Sequence, residues 1–118
     1  MIMRDDGFHE KGREADITLP PDTPVSLLNE YLGCSVISID FPSMTDGRGF
    51  SIAKRLRAIG YEGTLRATGN LIADQYAMSR RVGFDEIEIS DDVLGRQGEE
   101  QWAFRADWRE FDHQASLK

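Results

Sequence analysis

Cysteine and histidine are nearly missing from this chain: among 118 residues there is one cysteine, Cys34, and there are two histidines, His9 and His113. One thiol closes no disulfide within the chain, and two histidines so far apart make no metal site, so neither is expected. Long hydrophobic runs are missing as well. No window offers the roughly 18 uninterrupted apolar residues of a membrane span, and the opening MIMRDDGFHEKGRE has no apolar stretch of the kind a secretion signal needs. These absences predict a cytoplasmic protein with no membrane partner. Basic residues are the minority, 14 against 21 acidic ones, for a net charge of -7. Such a chain is a poor general ligand of nucleic acid, whose affinity for proteins comes from neutralised phosphates. No GxGxxG, no P-loop ending in Lys-Ser/Thr, no redox dithiol and no Ser-His-Asp or Cys-His pairing occurs, so no cofactor is predicted.

What is present is enough apolar material, 40% of the residues, for a single core in a chain of this length. Residues 1 to 16 are charged, carry two glycines and have no period, and read as a flexible leader; residues 17 to 118 read as a single α/β domain. Ile17 to Leu19 is a candidate strand ended by Pro20 and Pro21. Thr23 and Pro24 form a helix start, and Val25, Leu28 and Leu32 recur at helical spacing before Gly33, which predicts a short N-terminal amphipathic helix.

From residue 36 to residue 90 one pattern repeats, a short apolar run followed by a glycine-containing loop and a helix. VISIDF (36–41), TLRAT (64–68) and FDEIEIS (84–90) read as strands. FSIAKRLRAIG (50–60) and LIADQYAMSRRVG (71–83) read as the helices between them, the second capped by Asn70 and carrying Arg80 and Arg81 in its last turn. This βαβαβ order predicts a small two-layer or three-layer α/β unit with a short parallel sheet, completed by the N-terminal strand, the C-terminal segment or another chain. Ser90, Asp91 and Asp92 can cap a further short helix, which Gly95 and Gly98 interrupt. Trp102, Phe104, Trp108 and Phe111 make an aromatic C-terminal extension that is expected to cover a core edge.

Charge is unevenly spread. Residues 48 to 81 hold seven bases and two acids, a balance of +5 inside an acidic chain. These bases are either solvated helix faces or a patch for a small anion or an acidic partner. In open parallel sheets ligands bind beyond the carboxyl ends of the strands. There the loop Asp46-Gly47-Arg48-Gly49 stands just before a helix, with two glycines that let amides approach a ligand and a guanidinium that can fork onto an oxyanion. Arg66, in the middle of a strand, needs a carboxylate or a ligand. Two arrangements remain open: an oxyanion site built from Arg48, Arg66 and the loop amides, or a structural network pairing Arg66 with Asp40 or Asp46.

The run Ile39, Asp40, Phe41, Pro42, then Asp46, Gly47, Arg48, Gly49, Ser51, Ala53, Leu56, Arg57, Gly60, Gly63, Leu65, Arg66, Ala67 and Gly69 continues with Asp74, Gln75, Met78, Arg80, Gly83, Phe84 and Asp85. In order and spacing it resembles a bacterial family catalogued as domain of unknown function 934. The resemblance implies association with assimilatory sulfite reduction, where family members are described as oxidoreductases, and hence sulfite reductase or another sulfur-assimilation enzyme as partner. Two positions depart from the family phrase: Val82 stands where a cysteine is usual, and Asn70 where an acid often follows RAxG. A thiol-based redox role at position 82 is thereby removed. The reading that results is an accessory protein binding an oxyanion or a partner enzyme through Asp46, Gly47, Arg48, Gly49, Arg66, Asn70, Gln75 and Arg80. The alternatives are a small enzyme of sulfur assimilation, with Asp46 as acid or base, and a structural adapter with no ligand.

Overall fold

The β-branched run Val36–Phe41 and the two strand-like segments after it form the middle of a six-stranded sheet in the computed structural model, which describes residues 1–109. Phe111 and His113 lie outside the described residues. The strands are β1 Ile2–Arg4, β2 Gly7–His9, β3 Ile17–Leu19, β4 Val36–Phe41, β5 Thr64–Gly69 and β6 Glu86–Ile89. Their order across the sheet is β2-β1-β6-β5-β4-β3, parallel from β3 to β6 and antiparallel through β1 and β2.

Each new parallel strand, from β3 to β6, is added on the same side of the last. Right-handed crossovers then put every connecting helix on one face. The helices are α1 Arg48–Ala58, α2 Tyr76–Val82, α3 Asp91–Arg96 and α4 Glu99–Arg105, with 3-10 turns at Val25–Tyr31 and Ala73–Gln75. α1 packs on both α2 and the first 3-10 turn, and α2 on α4, as one layer requires. The fold is therefore a two-layer α/β sandwich whose second sheet face carries no helix among the described residues. Alternation along the strands follows from it. Ile37, Ile39, Phe41, Leu65, Ala67, Ile87, Ile89 and Met3 are buried beneath the helices, and Ser38, Arg66 and Glu86 point the other way.

Three expectations change. The segment expected as a flexible leader is built into the sheet: β1 pairs with β6, and Ile2 and Met3 are buried. Only two apolar residues in a row carry that strand, too short a run to show a period. The N-terminal helix is a 3-10 turn in which Leu28 alone is buried, while Val25 and Leu32 face solvent; Thr23 donates to the Pro20 carbonyl (2.6 Å) and caps nothing. Asn70 is not an N-cap either. The cap of the Ala73–Gln75 turn is Ile72, whose amide donates to the Gln75 side chain (3.0 Å). The helix after Ser90 forms as expected, with the Ser90 hydroxyl accepting from the Val93 amide. In the aromatic extension Trp102 is fully buried, Trp108 is packed against the core and Phe104 is exposed.

Between β2 and β3, at opposite edges of the sheet, residues 10 to 16 cross the helix-free face as a strap. From His9 to Ile17 the chain can span about 26–29 Å, and the five strand spacings between the edges take about 24 Å, so the strap is nearly taut. Its far end is tied by the Asp16 carboxylate, which accepts from the Ser35 and Val36 amides (2.7 and 2.9 Å).

Two glycines show how tightly the layers meet. A Cβ on Gly49 would lie 2.4 Å from the Phe41 ring, which itself packs on Phe50 and Phe84. At Gly69 φ is +116° and a Cβ would lie 2.3 Å from the Phe41 carbonyl oxygen. Gly69→Ala is therefore expected to cost about 2–4 kcal/mol in urea unfolding. Gly33→Ala, where nothing lies within 4 Å, should stay within about 0.5 kcal/mol of the parent.

Candidate functional site

The carboxyl ends of β4 and β5 and the start of α1 bring together six of the eight residues expected to form a site. Asp46 and Arg48 pair closely: Arg48 Nη2 is 2.7 Å from Asp46 Oδ2, and Arg48 Nε and the Arg48 amide both donate to Asp46 Oδ1 (2.9 and 3.1 Å). These bonds hold the Asp46 carboxyl below the usual carboxylate range. Asp46 thus orients Arg48, whose side chain is still 59% exposed. Gly47 caps α1 with open space where a Cβ would be, and Gly49 is a packing glycine under Phe41 rather than a point of ligand approach.

Asn70 and Gln75 fasten the same loop from below. Asn70 donates from its amide to the Phe41 carbonyl (2.9 Å) and from Nδ2 to the Pro42 carbonyl (2.7 Å). Gln75 Nε2 donates to the Met44 carbonyl (2.8 Å). Met44 is thereby held out into solvent at 52% exposure, beside a pocket of about 290 Å³ that Ile72, Val93, Arg96 and Gln97 line with it.

Arg66 and Arg80 are elsewhere. Arg66 sits three residues before the end of β5 on the helix-free face, 6% exposed, with Nε donating to Glu86 Oε2 (2.8 Å) and Nη2 donating to the Arg13 carbonyl of the strap. Arg4 Nε reaches the other oxygen of Glu86 (3.3 Å). Arg66 therefore shares no site with Arg48, and its carboxylate partner is neither Asp40 nor Asp46. Glu86 was legible in principle: aligning FDEIEIS in parallel register with TLRAT puts Glu86 beside Arg66.

Arg80, at the end of α2, belongs to the amino edge of the sheet. It donates to Asp5 from Nε and Nη2 (3.2 Å each) and to the Phe84 carbonyl, and its guanidinium lies 5.1 Å from the Trp108 ring centroid. Asp5 also accepts from the Tyr76 hydroxyl and from Trp108 Nε1 (3.2 Å). Burial opposes the charge on Asp5, but the bonds from Tyr76, Arg80 and Trp108 outweigh it and keep the carboxyl below its usual range. Burial and then Asp5 push the Tyr76 hydroxyl up. Beside this cluster Arg57 spends all five N–H donors on the carbonyls of Tyr61, Gly63 and Gly83 and on Asp85, whose Oδ2 also accepts from the Leu65 amide (2.9 Å). Arg57 and Asp85 are parts of the family phrase that residue-by-residue reading did not nominate.

Chemically, the carboxyl edge offers an exposed, oriented cation, an exposed methionine and open backbone at Gly47. Among the described residues no group of three or more His, Cys, Asp or Glu is placed to hold a metal, and no helix is long and apolar enough to cross a membrane.

Two outcomes follow. Arg66→Met should cost about 3 kcal/mol in chemical unfolding, since it leaves Glu86 buried with only the partly exposed Arg4, and adding Glu86→Leu should recover most of the loss. Asp5, with its folded pKa depressed, contributes stability that is present above pH 3.8 and fades as pH falls through the lower folded value. Asp5→Asn should therefore lower the neutral-pH melting temperature and flatten the acid limb of stability against pH.

Against protein-family models, residues 16–115 match the family described as bacterial protein of unknown function (DUF934). No curated protein and no solved structure matches the chain. With most of its length matched by that one model, the chain belongs to the bacterial DUF934 family.

Proposed function

We propose that this chain is an accessory binding module that docks a partner protein on the carboxyl edge around Met44 and Arg48, and that the partner, as the family resemblance implies, is an enzyme of sulfite reduction such as sulfite reductase. The observation that carries the reading is how the family phrase is used. Arg57, Arg66, Asn70, Gln75, Arg80 and Asp85 are engaged in internal hydrogen bonds, and Gly49, Gly69 and Gly83 in close packing or positive φ. Arg48 is the most exposed arginine of the phrase, its side chain 59% exposed against 27% for Arg57, and it stands beside an exposed apolar side chain. A charged, oriented guanidinium next to methionine is the composition of a protein-binding surface. Lys54 and Arg55, exposed on α1, extend the basic surface, so an acidic partner with an apolar anchor for the pocket under Met44 fits it.

A free oxyanion at this edge is less well supported, because Asp46 already occupies the donors of Arg48 that would grip it, and Arg66 is not there to help. The test is binding of the purified chain to purified sulfite reductase by calorimetry at low and high salt. The reading predicts a complex that Met44→Asp or Arg48→Glu weakens at least tenfold and that rising salt loosens. No complex at tens of micromolar protein, or one indifferent to both substitutions, contradicts it.

A further inference from the structure

We propose that the helix-free face of the sheet carries a separate site, a pocket for a zwitterionic small molecule of the α-amino-acid class, with Arg66 and Ser38 receiving its carboxylate and Glu88 its ammonium group. The registers build two levels of side chains on this face. Thr18, Ser38, Arg66 and Glu86 stand side by side across β3, β4, β5 and β6, and one level nearer the carboxyl ends stand Asp40, Thr68, Glu88 and Ile2. The levels are about 7 Å apart, two residues along a strand, a separation that the long Arg66 and Glu88 side chains can close around a ligand holding both charges on one carbon. The strap roofs part of this surface and leaves a pocket of about 580 Å³ whose floor includes Ser38, Arg66, Thr68 and Glu88.

Unmet donors mark the floor. Arg66 is 6% exposed and Ser38 3%. Arg66 uses Nε on Glu86 and Nη2 on the strap, but among the described residues neither its Nη1 nor the Ser38 hydroxyl has a hydrogen-bond partner. Neither atom is sealed from solvent, so both donors open into the pocket, where a bound group can reach them. Charge decides between ligands. Glu86 offsets Arg66, Glu88 adds a carboxylate held by the Thr68 hydroxyl (3.0 Å), and the strap brings Lys11 and Arg13 together with Glu10 and Glu14. A dianion such as sulfate would meet more negative than positive charge, four carboxylates against three cations. A zwitterion matches both signs, donor to carboxylate at one level and carboxylate to ammonium at the next. Gly12 is what keeps the roof clear, since a Cβ there would lie 2.8 Å from Arg66 Nη2.

The experiment is an NMR titration of the whole chain with each common L-α-amino acid in turn, alongside acetate, ethylammonium and sulfate. The proposal predicts that at least one amino acid gives saturable shifts at Ser38, Arg66, Thr68 and Glu88, with acetate and ethylammonium at least tenfold weaker. Glu88→Gln, a change at an exposed position that retains a partner for Thr68, should weaken that amino acid at least tenfold and leave resonances around Arg48 unmoved. No saturable shift with any amino acid up to about 10 mM overturns the site. So does acetate or sulfate binding as tightly as the best amino acid, or a Glu88→Gln variant that binds it unchanged.

Discussion

Glu86, buried between Arg66 on one side and Arg4 on the other, is the interaction on which the rest of the sheet depends. It lies on the face that no helix covers among the described residues, where Arg66, Arg4 and the strap surround its charge. Burying ions is costly, and such a row adds less net stability than apolar packing would; what it supplies is register. A one-residue slip of β1 would turn Arg4 into the core and Met3 onto the polar face. The same row therefore fixes the N-terminal hairpin, and through the Arg13 carbonyl it fixes the strap that joins the two edges of the sheet.

The family phrase reads, in three dimensions, as two clamps at opposite ends of the parallel strands. At the amino edge Arg57 and Asp85 tie the end of α1 to the start of β5 and to the turn after α2. At the carboxyl edge Asn70 and Gln75 tie the loop after β4 to the one after β5. A small sheet with one bare face has few buried contacts to hold its loops, and side-chain bonds to backbone carbonyls hold them instead. Arg48 stands outside both clamps, which is why the proposed docking surface is centred on it.

The parallel core was legible because its signals are local. Val36–Phe41 is a short run rich in β-branched residues, Gly60 and Gly83 stop helices, and Ser90 caps the next one. The hairpin was not, because Ile2 and Met3 give no period and their strand exists only where β6 offers an edge. The first helix departs from its pattern because Val25 and Leu32 have helical spacing but find no core to face. Of the site, the Asp46-Arg48 pair was visible in a four-residue turn, while the partner of Arg66 depended on strand register, a long-range property that no local pattern carries. Asp5, which binds Tyr76, Arg80 and Trp108, sits in a turn that reads as solvent-exposed charge.

The charge row around Glu86 is tested most directly by the state of one side chain, and nitrogen-detected NMR of the arginine guanidinium groups reads it. The Arg66 Nε–H is expected to exchange with water far more slowly than that of the exposed Arg48, and Glu86→Gln is expected to speed it. An Arg66 Nε–H that exchanges as fast as that of Arg48 would mean that the charge row is not formed, and would remove the basis for both the sheet register and the pocket beside it.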